Sequence, residues 1–381
     1  LISFQPTKEE SAFADLAREL ARERIRPIAR ECEQNRRVHS DLVKTLRELG
    51  FTTLELPESW GGLEMSLLSQ TQIWGALGQG DLGVIQGLPG TGDGASLIRL
   101  IPNHPALQSY KAAAVEGEGH TVAFLQAADG EGMSGVQAES NGQGVVLKGT
   151  SQPIRLAAFA ENLLVAVNDA GGETLLLWLD RQADSRWHVV EGDYRLGLLA
   201  AGCARVRFAE ERISPEQVIA KGSEARELLS QAQARIDVLE AAKEVGLMEA
   251  AVSYTAEYTA QRKAFGQEIA KFQGVSFTLA DMAIETQTSR NLLWQTAEQI
   301  DDGKPEGRRA AGGVLSRVHQ SLRFVTDSAV QLLGGHGYVQ EFPVEKWMRD
   351  AQAQVSLYGR EGELMARCGE QLLEDHVPTG V

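Results

Sequence analysis

The sequence predicts an α+β fold in three parts: an N-terminal helical domain over 1–119, a middle antiparallel β-domain over 120–220 and a C-terminal four-helix bundle over 221–381. Three observations carry this division. Apolar residues recur at helical spacing up to about Leu100. Short runs rich in β-formers, punctuated by Gly, Asn and Asp, occupy the stretch after His120. Long helical patterns return after Pro215, and nowhere do strands alternate with helices, which argues against a Rossmann fold.

The elements follow in order. Phe13, Leu16, Leu20 and Ile25 mark a first helix, and Leu42, Leu46 and Leu49 another that Gly50 stops. Pro57, Gly61 and Gly62 form a turn, and a further helix starts near Ser66. Strands are expected at 121–126, 144–148, 163–167, 174–179, 187–190 and 204–208. The bundle helices are expected at 225–262, 272–302, 306–333 and 344–375. Trp60 and Trp347 read most simply as packing residues.

With 43% hydrophobic and 23% charged residues over 381 positions, the chain is long enough to bury a sizeable core. Lys and Arg total 37 against 52 Asp and Glu, a net charge of −15, so polyanionic partners such as nucleic acid or a lipid surface are disfavoured. No apolar run reaches membrane-spanning length, and residues 1–10 lack the pattern of a secretion signal. Cys32, Cys203 and Cys368 form neither a disulfide framework nor a CxxC site, which points to the reducing cytoplasm. The seven histidines show no metal-ligand spacing, so no metal centre is expected.

Two segments carry chemistry. In Gln331-Leu-Leu-Gly-Gly-His-Gly-Tyr338, glycines at a helix end let backbone N–H groups approach a phosphate closely. The plain alternative is a glycine cap and a turn, with His336 a surface or phosphate-facing residue. Arg262-Lys-Ala-Phe-Gly-Gln267, followed by Gln273, brings a guanidinium, an aromatic face and amides to another turn. Arg suits a pyrophosphate and an aromatic suits a stacked ring, although a solvated interhelical loop would read the same way.

Taken together, these segments resemble the acyl-CoA dehydrogenase family. The resemblance rests on Arg262 to Gly266 with Gln273 and Ala280-Asp-Met282, and on Gln331 to Tyr338 continuing into Phe342-Pro-Val-Glu-Lys-Trp-Met-Arg-Asp350. Leu49-Gly50, Leu56-Pro-Glu-Ser-Trp-Gly-Gly62 and Arg195-Leu-Gly-Leu198 match more weakly. The resemblance extends over nearly the whole chain and implies the same three-part fold. It also implies FAD-dependent α,β-dehydrogenation of an acyl-CoA thioester: a carboxylate takes the α-proton and the β-hydrogen leaves as hydride to the flavin. It further assigns cofactor contacts to Arg262, Phe265, Gln273, Gln331, Gly334, Gly335 and Gly337, and an electron-transfer flavoprotein as acceptor.

The sequence departs from the family where chemistry is expected. The usual base is a Glu seven positions after Arg349-Asp350-Ala351, and that position is Tyr358. With an ordinary pKa of about 10, a tyrosine is a poor base near neutral pH. An alternative base position in some relatives falls on Ile236, and Glu361 is a displaced candidate three residues after Tyr358. The flavin loop Thr-Glu-Pro-Gly-x-Gly-Ser-Asp is replaced by Gln126-Ala-Ala-Asp-Gly-Glu-Gly-Met-Ser134. The ring-packing Trp-Ile-Thr-Asn aligns with Pro153-Ile-Arg-Leu156, so its indole and hydroxyl are gone.

The two preserved segments are the ones that, in such dimers, hold the adenine–diphosphate end of a neighbour's FAD. The favoured reading is therefore a subunit that lends these contacts to a paralogous catalytic chain, with FAD shared with or wholly held by that partner. A self-sufficient homo-oligomer using Glu361, associating with itself as dimer or tetramer, is one alternative. A non-catalytic scaffold of the same fold is the other.

Overall fold

The computed structural model describes residues 8–117, 120–127, 135–141, 144–181, 185–190, 195–359 and 361–376. Helix α1 (Lys8–Leu20) runs through a π turn and a 3-10 turn holding Pro27 into α2 (Ala29–Asn35), and α3 (Ser40–Glu48) follows. Ser66 caps α4 (Leu67–Gly78) by accepting from the Ser69 N–H, and Asp81 caps α5 (Leu82–Gln86) by accepting from Val84. Two short helices, α6 (Ala95–Ile98) and α7 (Gln108–Val115), complete the N-terminal part.

Among the described residues eight strands follow: β1 (Val122–Ala127), β2 (Val136–Asn141), β3 (Gly144–Thr150), β4 (Asn162–Asn168), β5 (Thr174–Asp180), β6 (Trp187–Val190), β7 (Arg205–Ile213) and β8 (Val218–Lys221). They make two four-stranded sheets, ordered β1-β4-β5-β8 and β2-β3-β7-β6. The expected antiparallel character holds except between β1 and β4, which run parallel. Their connection passes through β2 and β3 in the other sheet, and this long excursion returns β4 in the direction of β1. Strands β2, with few β-forming residues, and β8, only four residues long, escape the sequence reading. Leu147, Leu163, Val165, Leu177 and Phe208 pack between the sheets.

The C-terminal helices are α8 (Gly222–Gln261), α9 (Gln273–Asp301), α10 (Pro305–Leu333), α11 (Val344–Leu357) and α12 (Glu361–His376). The stretch expected as one helix over 344–375 breaks between α11 and α12, where Gly359 takes φ +108°. That conformation lies outside the right-handed helical region and ends α11. Between α8 and α9 lies a two-residue hairpin, Lys263–Ala264 against Gln267–Glu268.

Helix α8 is the axis of the molecule, buried on nearly every side along its middle. It meets α4 along a glycine seam. A methyl on Gly246 would lie 2.0 Å from the Gly75 carbonyl oxygen, and one on Gly78 would lie 2.5 Å from that of Lys243. Only hydrogen at these positions lets the two backbones touch. Trp60 and Trp347 are each 1% exposed and act as packing residues. Among the described residues, no helix is long and apolar enough to cross a membrane.

Candidate functional site

Arg155, which aligns with the threonine of the family's Trp-Ile-Thr-Asn, and Tyr358, at the usual base position, come together in the interior. Arg155 follows β3. Its neighbour Ile154 bridges Ala204, and Leu156 adopts a left-handed φ of +63°. That conformation costs a non-glycine residue roughly 1–2 kcal/mol. It is held by the bonds of Ile154 to Ala204 and of the Leu156 N–H to the Ala201 carbonyl. Gly92 makes room alongside, because a Cβ there would sit 3.0 Å from Leu156 Cδ1.

The Arg155 guanidinium then reaches four partners. Nε donates to the Gln86 carbonyl at 2.8 Å, while Nη1 lies 2.5 Å from Asp93 Oδ1, 3.6 Å from Glu240 Oε1 and 3.4 Å from the Tyr358 hydroxyl. Tyr358 donates in turn to Asp93 Oδ2 at 2.9 Å. Lys243 pairs with Glu240 and donates to Gln86 Oε1, and Gln354 donates to Glu240 Oε2 at 2.9 Å. Farther along α8, Glu244 meets His319 of α10 at 2.9 Å.

The scaffold fixes these groups. Lys346 of α11 is buried between the carboxylates of Asp81 and Asp350, which ties α11 to the capped start of α5 and so places Gln86. Burial disfavours its charge, but Asp350 and Asp81 outweigh that and hold its pKa above the ordinary lysine value.

Electrostatics in this cluster follow from burial and pairing. Burial pushes the Glu240 carboxyl up, but Lys243 and Arg155 more than offset it and hold its pKa below the ordinary value. Burial pulls Lys243 down despite Glu240. Burial, then Asp93 and Glu240, drive the Tyr358 phenol well above its ordinary value, against the pull of Arg155. Neither Tyr358 nor Glu240 is poised to take a proton at neutral pH. Ile236, the alternative base position, is an apolar wall of the same cleft, with Arg235 turned away to grip Glu55 at 2.6 and 2.9 Å. Glu361 is the first residue of α12, and its side chain lies outside the described residues. The open space left beside Arg155 and Lys243 is about 60 Å³.

The other candidate region is on the surface, where α8 ends and α10 meets its glycine turn. Arg262 and Gln331 are exposed and flank a shallow pocket of about 340 Å³ with Gly334 and Gly335. Among the described residues Arg262 makes no ion pair. Phe265 is 95% exposed, at a left-handed φ of +51°, with its ring edge-on to Phe272. Gln273 is exposed at the start of α9. Gly334 takes φ +59° with ψ −132°, a region essentially open to glycine alone. No other heavy atom would lie within 4 Å of a Cβ on Gly334 or Gly335, whereas one on Gly337 would strike the Val330 carbonyl oxygen at 2.3 Å. Gly337 is thus buried and allows close packing. His336 is half-buried, stacked on Phe342 at 4.6 Å and joined to the Tyr258 hydroxyl at 2.8 Å.

Known proteins agree with this architecture. Residues 7–100 match the model of the acyl-CoA dehydrogenase N-terminal domain and residues 206–373 that of its C-terminal domain, together more than two thirds of the chain. The chain belongs to the acyl-CoA dehydrogenase family. A short-chain-specific acyl-CoA dehydrogenase of Clostridium acetobutylicum is 27% identical over 361 residues, 92% of this chain and 94% of that one. Butyryl-CoA dehydrogenase from Megasphaera elsdenii shares the fold with a TM-score of 0.83 at 24% identity, over 98% of this chain and all of that one. So does a glutaryl-CoA dehydrogenase from Mycobacterium smegmatis in complex with FADH2, with a TM-score of 0.83 at 17% identity over 97% and 95% of the two chains. Acyl-CoA dehydrogenases are FAD-dependent oxidoreductases acting on CH–CH bonds.

The two regions answer differently when tested for FAD. Any flat ring or acyl chain held between the Arg155 and Tyr358 positions would need a van der Waals gap of roughly 7 Å. These side chains stand 3.4 Å apart. None of Arg155, Asp93, Glu240, Lys243, Tyr358, Gln86 or Gln354 has a buried polar side-chain atom left without a partner. An acyl-CoA dehydrogenase ring pocket would instead hold donors waiting for the flavin's polar edge. Among the described residues, the interior around Arg155 and Tyr358 therefore does not fit the isoalloxazine. Of the loop expected to meet that edge, Gln126 and Ala127 end β1, and 128–134 lie outside the described residues. The surface does fit the diphosphate end: an unpaired guanidinium, an open aromatic face, two exposed amides and a glycine turn with free approach.

Sequence reasoning missed Asp93, Glu240 and Lys243. The available signal was the density of charge in Arg235, Asp237, Glu240, Lys243 and Glu244 within a helix otherwise apolar enough for a core. Charges spaced in this way around every face of a buried helix must find partners inside the protein.

Proposed function

We propose that this chain is the FAD-completing subunit of a heteromeric acyl-CoA dehydrogenase. Its partner is a paralogous chain that carries the ring pocket and the base. The observation that carries the reading is the 3.4 Å contact between Arg155 and Tyr358, the positions that should stand on either side of the reacting groups. The exposed set of Arg262, Phe265, Gln273, Gln331, Gly334 and Gly335 supplies what such a chain would give to its partner's cofactor.

In the complex, FAD supplies the hydride acceptor. On this chain, Arg262 would pair with the diphosphate, Phe265 would cover an aromatic face, Gln273 and Gln331 would offer amide hydrogen bonds, and the Gly334–Gly335 turn would give backbone N–H groups room to approach. The substrate class of the complex is an acyl-CoA thioester, with an electron-transfer flavoprotein as acceptor by family resemblance. A second pocket of about 410 Å³ is lined by Arg226 with Arg308 and Arg367, but the last two are already paired with Glu227 and Asp237 at 2.5 Å and so offer little to a phosphate.

The test is flavin stoichiometry. The chain purified alone is expected to carry little or no FAD, and co-expression with the right paralogue is expected to give about one FAD per pair of unlike chains. Near-stoichiometric FAD on the lone chain, with acyl-CoA oxidation lost in Glu361→Gln, would replace this reading with a self-sufficient enzyme.

A further inference from the structure

We propose that the ion-paired cluster centred on Arg155 takes over the structural place of the flavin ring, joining the three parts of this subunit so that it folds and stays assembled without a cofactor of its own. This rests on the subunit reading for its biological sense but not for its evidence. The cluster draws on all three parts of the chain. Asp93 comes from the turn before α6, Arg155 from the sheet region, Glu240 and Lys243 from α8, and Tyr358 from the end of α11.

Charge closes within it. Two cations, Arg155 and Lys243, face two carboxylates, Asp93 and Glu240, and the phenol of Tyr358 bridges Asp93 to Arg155. A bound aromatic cofactor at the meeting point of three layers contributes contacts to each of them. Here side chains at 2.5–3.6 Å supply those contacts from within the chain. Geometry favours a structural role over a second ligand site, because the residual space of about 60 Å³ holds a few waters and no ring.

Riboflavin tests this directly, since it carries the isoalloxazine without the diphosphate and adenine that the exposed surface would hold. Titrated into the purified wild-type chain, it is expected to keep its free fluorescence and leave the thermal unfolding midpoint unchanged. Saturable one-to-one quenching with a raised midpoint would overturn the proposal. Arg155→Met is expected to lower the midpoint by several degrees, and adding Asp93→Asn to recover part of that loss by removing a stranded carboxylate. A midpoint unmoved by Arg155→Met would also overturn it. If Arg155→Met does not fold, the wild-type titration still decides. The outcomes separate from those of the subunit reading: a chain that takes up riboflavin can still complete a paralogue's FAD, and a chain that refuses riboflavin can still fail to do so.

Discussion

The interior around Arg155 and the surface around Phe265 use similar side chains to opposite ends. Inside, a guanidinium, an aromatic hydroxyl and amides are locked to one another across three layers. Outside, a guanidinium, an aromatic ring and amides stand exposed around a glycine turn. The difference is whether the donors already have partners, and this decides whether a site can take a ligand. A pairing satisfied within the fold is stability, whereas the same groups left open are binding capacity.

Substitutions can break this contrast, and the largest effect belongs inside. Removing one partner from a buried ion pair strands the others, so Arg155→Met should cost about 3–5 kcal/mol in denaturant unfolding. The double variant with Asp93→Asn should cost less than the two single changes added together. Next in size is Gly334→Ala, which forces a side chain into a conformation reserved for glycine. It should cost roughly 1–3 kcal/mol. If the glycine turn helps hold a partner's FAD, the same change should also weaken FAD retention in the co-expressed complex, measured as flavin released on gel filtration.

An intermediate effect concerns pH. Burial pushes the Glu55 carboxyl up, but Arg235 in bidentate contact pulls it below its ordinary 4.5, helped by Gln70 and Arg99. The contribution of a group depressed in this way is present above 4.5 and is lost as pH falls through the lower folded value. Acid unfolding of Glu55→Gln should therefore show a shallower loss of stability below that point than the wild type, at the expense of a lower plateau near neutrality.

The smallest effect on folding belongs to the surface. Arg262→Ala and Phe265→Ala should change the stability of the lone chain by less than about 0.5 kcal/mol, since neither side chain is buried. If the surface completes a partner's cofactor site, the same variants should lower the FAD content of the co-expressed complex. A complex with unchanged FAD content would remove the role assigned to this face.

How much was legible in the sequence follows the same division. Helices α1 and α3 announced themselves through apolar residues at helical spacing and α4 through its start at Ser66, and six of the eight strands described in the two sheets through runs of β-formers. The glycine turn at Gly334 was legible because a conformation open only to glycine leaves a chemical trace. The parallel pairing of β1 with β4 was not, since pairing partners are chosen by long-range topology and no local pattern encodes them. Nor was the break at Gly359, where one glycine looked compatible with a continuing helix. The absence of the usual base at Tyr358 was legible, but not what replaced it. Asp93, Arg155, Glu240 and Tyr358 are far apart along the chain, and only the fold shows that they satisfy one another.

The glycine seam between α4 and α8 sets a limit on redesign. Because the Gly75–Gly246 and Gly78–Lys243 contacts are backbone to backbone, the spacing of these helices is fixed without regard to the side chains farther along α8. Shaving Arg155 and Tyr358 down to smaller residues would leave an irregular hole between walls that cannot move apart. If the chain relies on a partner for the flavin ring, converting it into an autonomous flavoenzyme would mean rebuilding how its helices meet before a ring pocket could be opened.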